Sequence, residues 1–319
     1  MHPVLRLLVQ RIALGLLLLF LVSILIFVGT IILPGDVAQS ILGQSATPET
    51  LANLREELGL NDPPVQRYFD WLFGALQGDL GIALTGGKEI APVLMSRLGN
   101  TLFLAFWAAL ISVPLAIFLG LLAVRFRDRW PDKLISGVTL ASISVPEFLI
   151  AYVVMFFVGV KLRWLMPTAI GFRPDADLLT KLEAIALPVI VLTLVVLAHM
   201  MRMTRAAILN VMQSAYIETA ELKGLSMFKI IWRHAFPNSI APVVNVVMLN
   251  LAYLVVGVVV IEVVFVYPGM GQYLVDHVSK RDVPVVQACG LVFAAVYIGL
   301  NMLADIISIL SNPRLRHPK

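Results

Sequence analysis

Cysteine is almost absent from this chain: among 319 residues, only Cys289 carries a thiol. A single thiol in an apolar stretch excludes an intrachain disulfide and a cysteine-built metal site, and it leaves the redox compartment open. Charge is scarce as well. Asp, Glu, Lys and Arg make up 14% of residues while hydrophobic residues reach 59% and mean hydropathy is +0.90, well outside the range of a soluble domain. The chain reads as an all-α, polytopic membrane protein. Its formal excess of +4 is no argument for nucleic acid, because across a membrane the side on which charge sits matters more than its sum. Local spacing suggests no carboxylate pair, histidine cluster or Ser-His-Asp arrangement, so no catalytic residue and no metal site are expected. The stretch from Gly81 to Lys88 imitates a phosphate loop, but Ile82 stands where its first glycine belongs and Glu89 where Ser or Thr is required. A nucleotide site in this chain is therefore not expected.

What the chain has in abundance is apolar runs of spanning length. Arg6 and Arg11 precede a run over 12–33, long enough to cross roughly 30 Å of hydrocarbon and read as an anchor rather than a cleaved leader. Further spans are expected over 101–124, 134–160, 184–200, 240–265 and 285–310, giving six transmembrane helices. Fourteen of the 24 Lys and Arg residues fall in the N-terminus, the 125–133 and 201–239 loops and the C-terminal tail. The positive-inside rule places all four in the cytoplasm. Lys88 and Lys181 are then external, while Arg129, Lys223 and Lys319 are internal.

Two loops are too informative to be connectors. In 214–237 the residues Ala215 to Lys223 favour a helix, Gly224 sits at a C-terminal glycine position, Ser226 can cap a second helix, and Pro237 is expected to stop it. The external segment 34–100 is long for a bare loop. Thr47-Pro48-Glu49 reads as a helix start, with Leu51, Leu54 and Leu58 on one face before Gly59. A second helix is expected from Pro64 to Gln77, carrying Val65, Tyr68, Phe69, Leu72 and Leu76 on one side. Both are expected to lie at the membrane surface or over the external mouth. The domain division is an anchor helix with its external segment over 1–97 and a transmembrane core over 98–312.

The 214–237 pattern carries a resemblance. Glu218-Thr219-Ala220, then Gly224, then His234-x-Phe236-Pro237 resembles the EAA loop of permeases from binding-protein-dependent ABC importers. Thr219 replaces the middle alanine of the family pattern, and His234 and Phe236 replace its aliphatic pair. PGD at 34–36, LREELGLNDPP at 54–64, YFDWLFGALQGDLG at 68–81, RLGNTL at 97–102, RMTRAAILNVMQSAYIETAELKGLS at 202–226 and VVIEVVFVYPGMGQYLVDHVSKRDVPVVQ at 259–287 resemble the dipeptide, oligopeptide and nickel branch. The resemblance implies a type I ABC importer transmembrane fold in a bacterial or archaeal cytoplasmic membrane. It implies four partners or kinds of partner: a second, related permease, two cytoplasmic ATPase subunits that bind ATP and Mg2+, and an external substrate-binding protein. Residues Glu218, Thr219, Ala220, Gly224, His234, Phe236 and Pro237 would couple this chain to the ATPase. No cofactor is expected on the chain itself.

Polar residues inside spans are the other candidates. A carboxylate in hydrocarbon costs several kcal/mol unless paired, protonated or wetted, so Glu147, Glu262 and Asp305 are expected to face the bundle interior or a cavity. Asn301 shares a helix face with Asp305. Glu262, near the external end of its span, has the simpler alternative of reaching water. Pro114, Pro146, Pro188 and Pro242 each remove a backbone donor and invite a kink or break, and a break is expected at Pro146, directly before Glu147. These carboxylates also support a rival reading, a self-sufficient proton-coupled secondary transporter; a membrane scaffold without transport is a third. Outside, Glu56, Glu57 and Asp62 belong to an acidic surplus suited to receiving a binding protein.

Overall fold

The computed structural model describes residues 3–32, 37–57 and 59–311. Leu33, the Pro34-Gly35-Asp36 stretch, Leu58 and the tail with Lys319 lie outside the described residues. The described chain is helical, as expected. It runs through α1 (Pro3–Ile32), α2 (Val37–Leu42), α3 (Pro48–Glu57), α4 (Pro64–Leu76), α5 (Ile90–Arg125), α6 (Trp130–Ser144), α7 (Glu147–Val154) and α8 (Leu178–Met212). It continues with α9 (Ala215–Leu222), α10 (Met227–Ile230), α11 (Phe236–Val264), α12 (Met270–Ser279) and α13 (Val283–Ser311). The one β feature among the described residues is an isolated antiparallel bridge between Ile82 and Glu89.

Five helical stretches, at α1, α5, α8, α10–α11 and α13, are long and apolar enough to cross a membrane. The sixth expected span is a bent pair: α6 meets α7 and its continuation to Lys161 at 103°. The bend falls at Val145 and Pro146. Val145 is extended, with φ −97 and ψ 130, as the residue before a proline prefers, and Pro146 has no N–H to continue the helix. Pro114, Pro188 and Pro242, by contrast, sit inside continuous helices. Their freed carbonyls leave each helix unbroken. Several helices also outrun the expected spans, because hydropathy marks the hydrocarbon thickness while hydrogen bonding carries a helix on into water. α5 starts at Ile90 and α8 covers 178–212. At the head of α8, Asp177 accepts from the Thr180 hydroxyl at 2.6 Å and its N–H at 3.2 Å, which holds its carboxyl below the ordinary range.

α5, α6 and α11 pack on α8, the most buried of the spans, while α1, the least buried, lies against α13. Ala105, Ala108 and Ala116 of α5 are buried in the shared core with Val191, Met200 and Met201 of α8. At Gly120 a Cβ would stand 3.1 Å from Thr204 Cγ2 and 3.4 Å from the Arg205 nitrogen. Small residues let the two backbones approach, which is where van der Waals packing drives association in lipid. The first and last helices lie side by side: Arg11 pairs with Asp305 at 3.0 Å, and Gln287 donates to the Thr30 hydroxyl at 2.7 Å. Both ends of the described chain thus lie at the same end of the bundle.

Candidate functional site

The 214–237 loop is a helix, a left-handed turn and a second helix. Gly224 has φ +76. Its N–H donates to the Glu221 carbonyl at 2.8 Å, and the Leu225 N–H reaches back to Ala220 at 3.3 Å. This is the Schellman arrangement, which satisfies the last carbonyls of α9 and needs a residue without a Cβ penalty at the turn. Ser226 then caps α10, accepting from Lys229. The expected stop at Pro237 is not found. The helix passes through it into α11, because Ile231–Ala235 forms a π-helical turn in which Phe236 N–H bonds to the Ile231 carbonyl. Widening the turn relieves the clash between a proline ring and the carbonyl four residues back. The His234 carbonyl accepts from the Asn238 side-chain amide at 2.7 Å.

The loop has two faces. Ile217, Ala220, Ile230, Ile231 and Ala235 are buried against Leu121, Val124 and Ile208 at one end of α5 and α8. Glu218, Thr219, Gly224 and Pro237 are exposed, Leu222 is 83% exposed, and His234 and Phe236 are half-buried. Of the seven expected coupling residues, Ala220 therefore faces inward, and its contribution is to hold the outer face in place. Leu222 and Phe228 stand on that outer face without having been singled out; both are large apolar residues exposed to solvent, and their exposure depends on packing that the sequence does not display.

The intramembrane candidates go separate ways. Glu262 is fully buried, so the alternative that it reaches water is corrected. Its carboxylate accepts from the Thr101 hydroxyl at 2.6 Å, Gly271 N–H at 2.7 Å and Gln272 N–H at 3.1 Å. Thr101 Oγ1 accepts in turn from Met270 N–H at 2.8 Å. Glu262 and Thr101 thus satisfy the first-turn donors of α12, a helix the sequence reading did not isolate although Gly269 followed by Met270, Tyr273, Leu274 and His277 carries its spacing. Asn100 adds a bond to the Pro268 carbonyl at 2.8 Å and receives one from the Tyr267 hydroxyl at 2.7 Å. The 97–102 and 267–272 stretches therefore meet at this carboxylate. Asp305 is not in a cavity; it lies between α1 and α13, 38% exposed and paired with Arg11. Asn301 donates to the Tyr297 carbonyl of its own helix. Glu147, half-buried at the start of α7, has no hydrogen bond or ion pair among the described residues.

Two features escaped sequence reasoning. Arg205 of α8 grips Asp132 of α6 with Nε at 2.9 Å and Nη2 at 2.8 Å. Asp132 is 4% exposed and also accepts from the Asp128 N–H and the Ser136 hydroxyl, so the charge is paired on every side. The partners are 73 residues apart, beyond any local pattern. The second feature is an open groove of about 930 Å3 between the later half of α8 and the start of α11. Asn210, Ser214, Tyr216, Asn238 and Asn245 give it a polar, uncharged lining among small apolar residues. In the 34–100 segment, Glu56 and Asp62 are exposed; the Glu57 side chain lies outside the described residues.

The arrangement matches known proteins over nearly its whole length. The family described as "Binding-protein-dependent transport system inner membrane component" matches residues 112–317, and its N-terminal companion matches residues 4–105. A protein of Brucella abortus (strain 2308) named as a peptide transport system permease is 36% identical over 312 residues, covering 98% of this chain and 99% of its own. The glutathione transport system permease protein of Escherichia coli (strain K12) is 34% identical over 299 residues, covering 94% and 95%. Among solved structures, the inward-facing MetNI methionine ABC transporter aligns over 67% of this chain and 94% of its own, with a TM-score of 0.47 at 16% identity.

Proposed function

This chain belongs to the family of binding-protein-dependent transport system inner membrane components, and from that premise we propose that it forms half of the pathway by which peptides or related small solutes are taken up. It is the multi-span permease subunit of an ABC importer. The solute class is supported by the names of its relatives, a peptide permease and a glutathione permease. The other half comes from a second, related permease, and the work from two ATPase subunits that hold ATP and Mg2+. The chain lies in the cytoplasmic membrane with both termini inside.

The observation that carries this reading is the division of the 214–237 loop into an inward face fixed on α5 and α8 and an outward face left open. A rigid lever of that kind transmits motion only if something docks on its free side. ATP binding closes the ATPase dimer, the docked loops follow, and the path turns from inward-facing to outward-facing. The shift is bounded by the difference in ATPase affinity between the two states. The α8–α11 groove adjoins the loop through Ser214 and Tyr216, and we assign it to the inner part of the path. Amide and hydroxyl groups there accept solutes of either charge. Glu147, at the 103° break, is the intramembrane carboxylate left uncommitted and the remaining pathway candidate. A proton-coupled carrier needs exchangeable carboxylates; Glu262 is sealed among three donors and Asp305 is paired, which leaves that reading without support at those positions.

One cysteine tests docking and orientation together. Placed at Leu222 in the assembled complex, it is expected to crosslink to the ATPase subunit and to react with an impermeant maleimide in inside-out vesicles only. Labelling from the external side would overturn the orientation. A complex that purifies intact yet gives no ATPase crosslink would overturn the docking role. On the other side, neutralising Glu56, Glu57 and Asp62 together is expected to slow association of the binding protein at low ionic strength and to leave basal ATPase activity intact. An unchanged association rate removes these residues from the docking surface.

A further inference from the structure

Helix α4 divides its circumference into three arcs. Tyr68 and Trp71 face α1: the Tyr68 hydroxyl and Ser23 Oγ are 2.8 Å apart, and Phe27 lies against Tyr68 at 5.3 Å and stacks on Trp71 at 6.0 Å between ring centroids. Asp70 and Arg67 occupy a polar arc. The third arc, between these two, carries Val65, Phe69, Phe73 and Leu76 at helical spacing, from 43% exposed at Phe69 to 75% at Leu76. Four large apolar side chains on one side of a 13-residue helix are too many for water, and none of the described residues covers them.

The contacts with α1 fix the depth of this face. Phe27 and Ser23 lie five and nine residues inside Ile32, about 7 and 14 Å along the helix axis at 1.5 Å per residue. That is well within a hydrocarbon core of about 30 Å. The outward surface of α1 beside them, including Leu21, Leu25 and Val28, is itself apolar and exposed, as a helix facing lipid must be. The unpartnered arc of α4 has the same apolar, exposed character. We infer that α4 is immersed in the leaflet at the Ile32 end of α1, with Val65, Phe69, Phe73 and Leu76 seated among lipid acyl chains and Asp70 and Arg67 turned to water. The division of an amphipathic helix between water, protein and acyl chains anchors the external segment at a fixed height above the pathway. This inference rests on α1 spanning the membrane and is independent of which side is cytoplasmic.

Nitroxides on single cysteines at Phe69, Asp70, Phe73 and Leu76 test it in the assembled transporter, reconstituted in phosphatidylethanolamine–phosphatidylglycerol vesicles. All four positions are exposed and the native Cys289 is buried, so the labels displace no core. At Phe69, Phe73 and Leu76, collisions with oxygen relative to a water-soluble nickel chelate are expected to be several-fold more frequent than at Asp70. Equal access of the chelate to all four positions would overturn the inference in favour of a solvated helix. Immobile nitroxides at 69 and 73, shielded from both reagents, would overturn it in favour of a protein cover.

Discussion

Gly224→Val is expected to leave the chain inserted and assembled while lowering transport about tenfold or more. Gly224 holds φ +76 with no atom within 4 Å of the place a Cβ would occupy, so the cost is conformational rather than steric contact with neighbours. A left-handed conformation costs an L-residue roughly 1–2 kcal/mol, and a branched one more; at about 1.4 kcal/mol per factor of ten this matches the expected loss. The strain is relieved by abandoning the Schellman bonds of Gly224 and Leu225, which swings α9 relative to α10 and turns Glu218 and Leu222 away from their partner. Asn visits the left-handed region more readily than other side-chain-bearing residues. The order of transport should therefore be Gly, Asn, Ala, Val. Uptake into reconstituted vesicles and substrate-stimulated ATPase activity measure it. A Val variant with wild-type uptake and stimulation would show that the turn conformation is not needed for coupling.

That turn was legible in the sequence because everything that makes it is local: a helix-forming run, a glycine and a capping serine within a few residues. Pro237 was misread for a related reason. Proline does forbid a regular α-turn, but a π-turn two to six residues earlier makes room for it, and no residue type announces a π-turn. Spans were legible as hydrophobic runs, and a break at Pro146 was expected, yet the same reading invited a kink or break at 114, 188 and 242, where the helices run on. Which proline breaks a helix depends on what neighbouring helices supply. The roles of the acids were least legible. Glu262, Asp132 and Asp305 find their partners at Thr101, Arg205 and Arg11, each brought near by packing of helices far apart in the chain.

Glu262→Ala is expected to release α12 from the bundle and to expose the chain's only thiol. In the native protein, the Met270, Gly271 and Gln272 N–H groups end on Thr101 or Glu262. Gly269 offers no side-chain cap of its own. Removing the carboxylate leaves two buried N–H groups without acceptors, at about 1–3 kcal/mol each, or about 2–6 kcal/mol in all, a large share of the stability of a typical domain. α12 shares its core with Cys289: Met270, Tyr273 and Cys289 lie in one buried cluster with Ile90 and Leu94. When α12 lifts, the thiol is uncovered. Maleimide should then label Cys289 in the Ala variant at temperatures where wild type is silent, and thermal unfolding of the purified complex should fall in parallel. Glu262→Gln keeps the volume and one acceptor oxygen but presents an amide donor to the helix, so it should fall between the two. Gly271→Ala approaches the same end by another route, since its Cβ would stand 2.7 Å from the Val259 Cα and must push α12 away from α11. Should the Ala variant keep both its melting temperature and an unreactive Cys289, water entering the vacated space would be serving the α12 donors, and Glu262 would not be what holds α12 to the bundle.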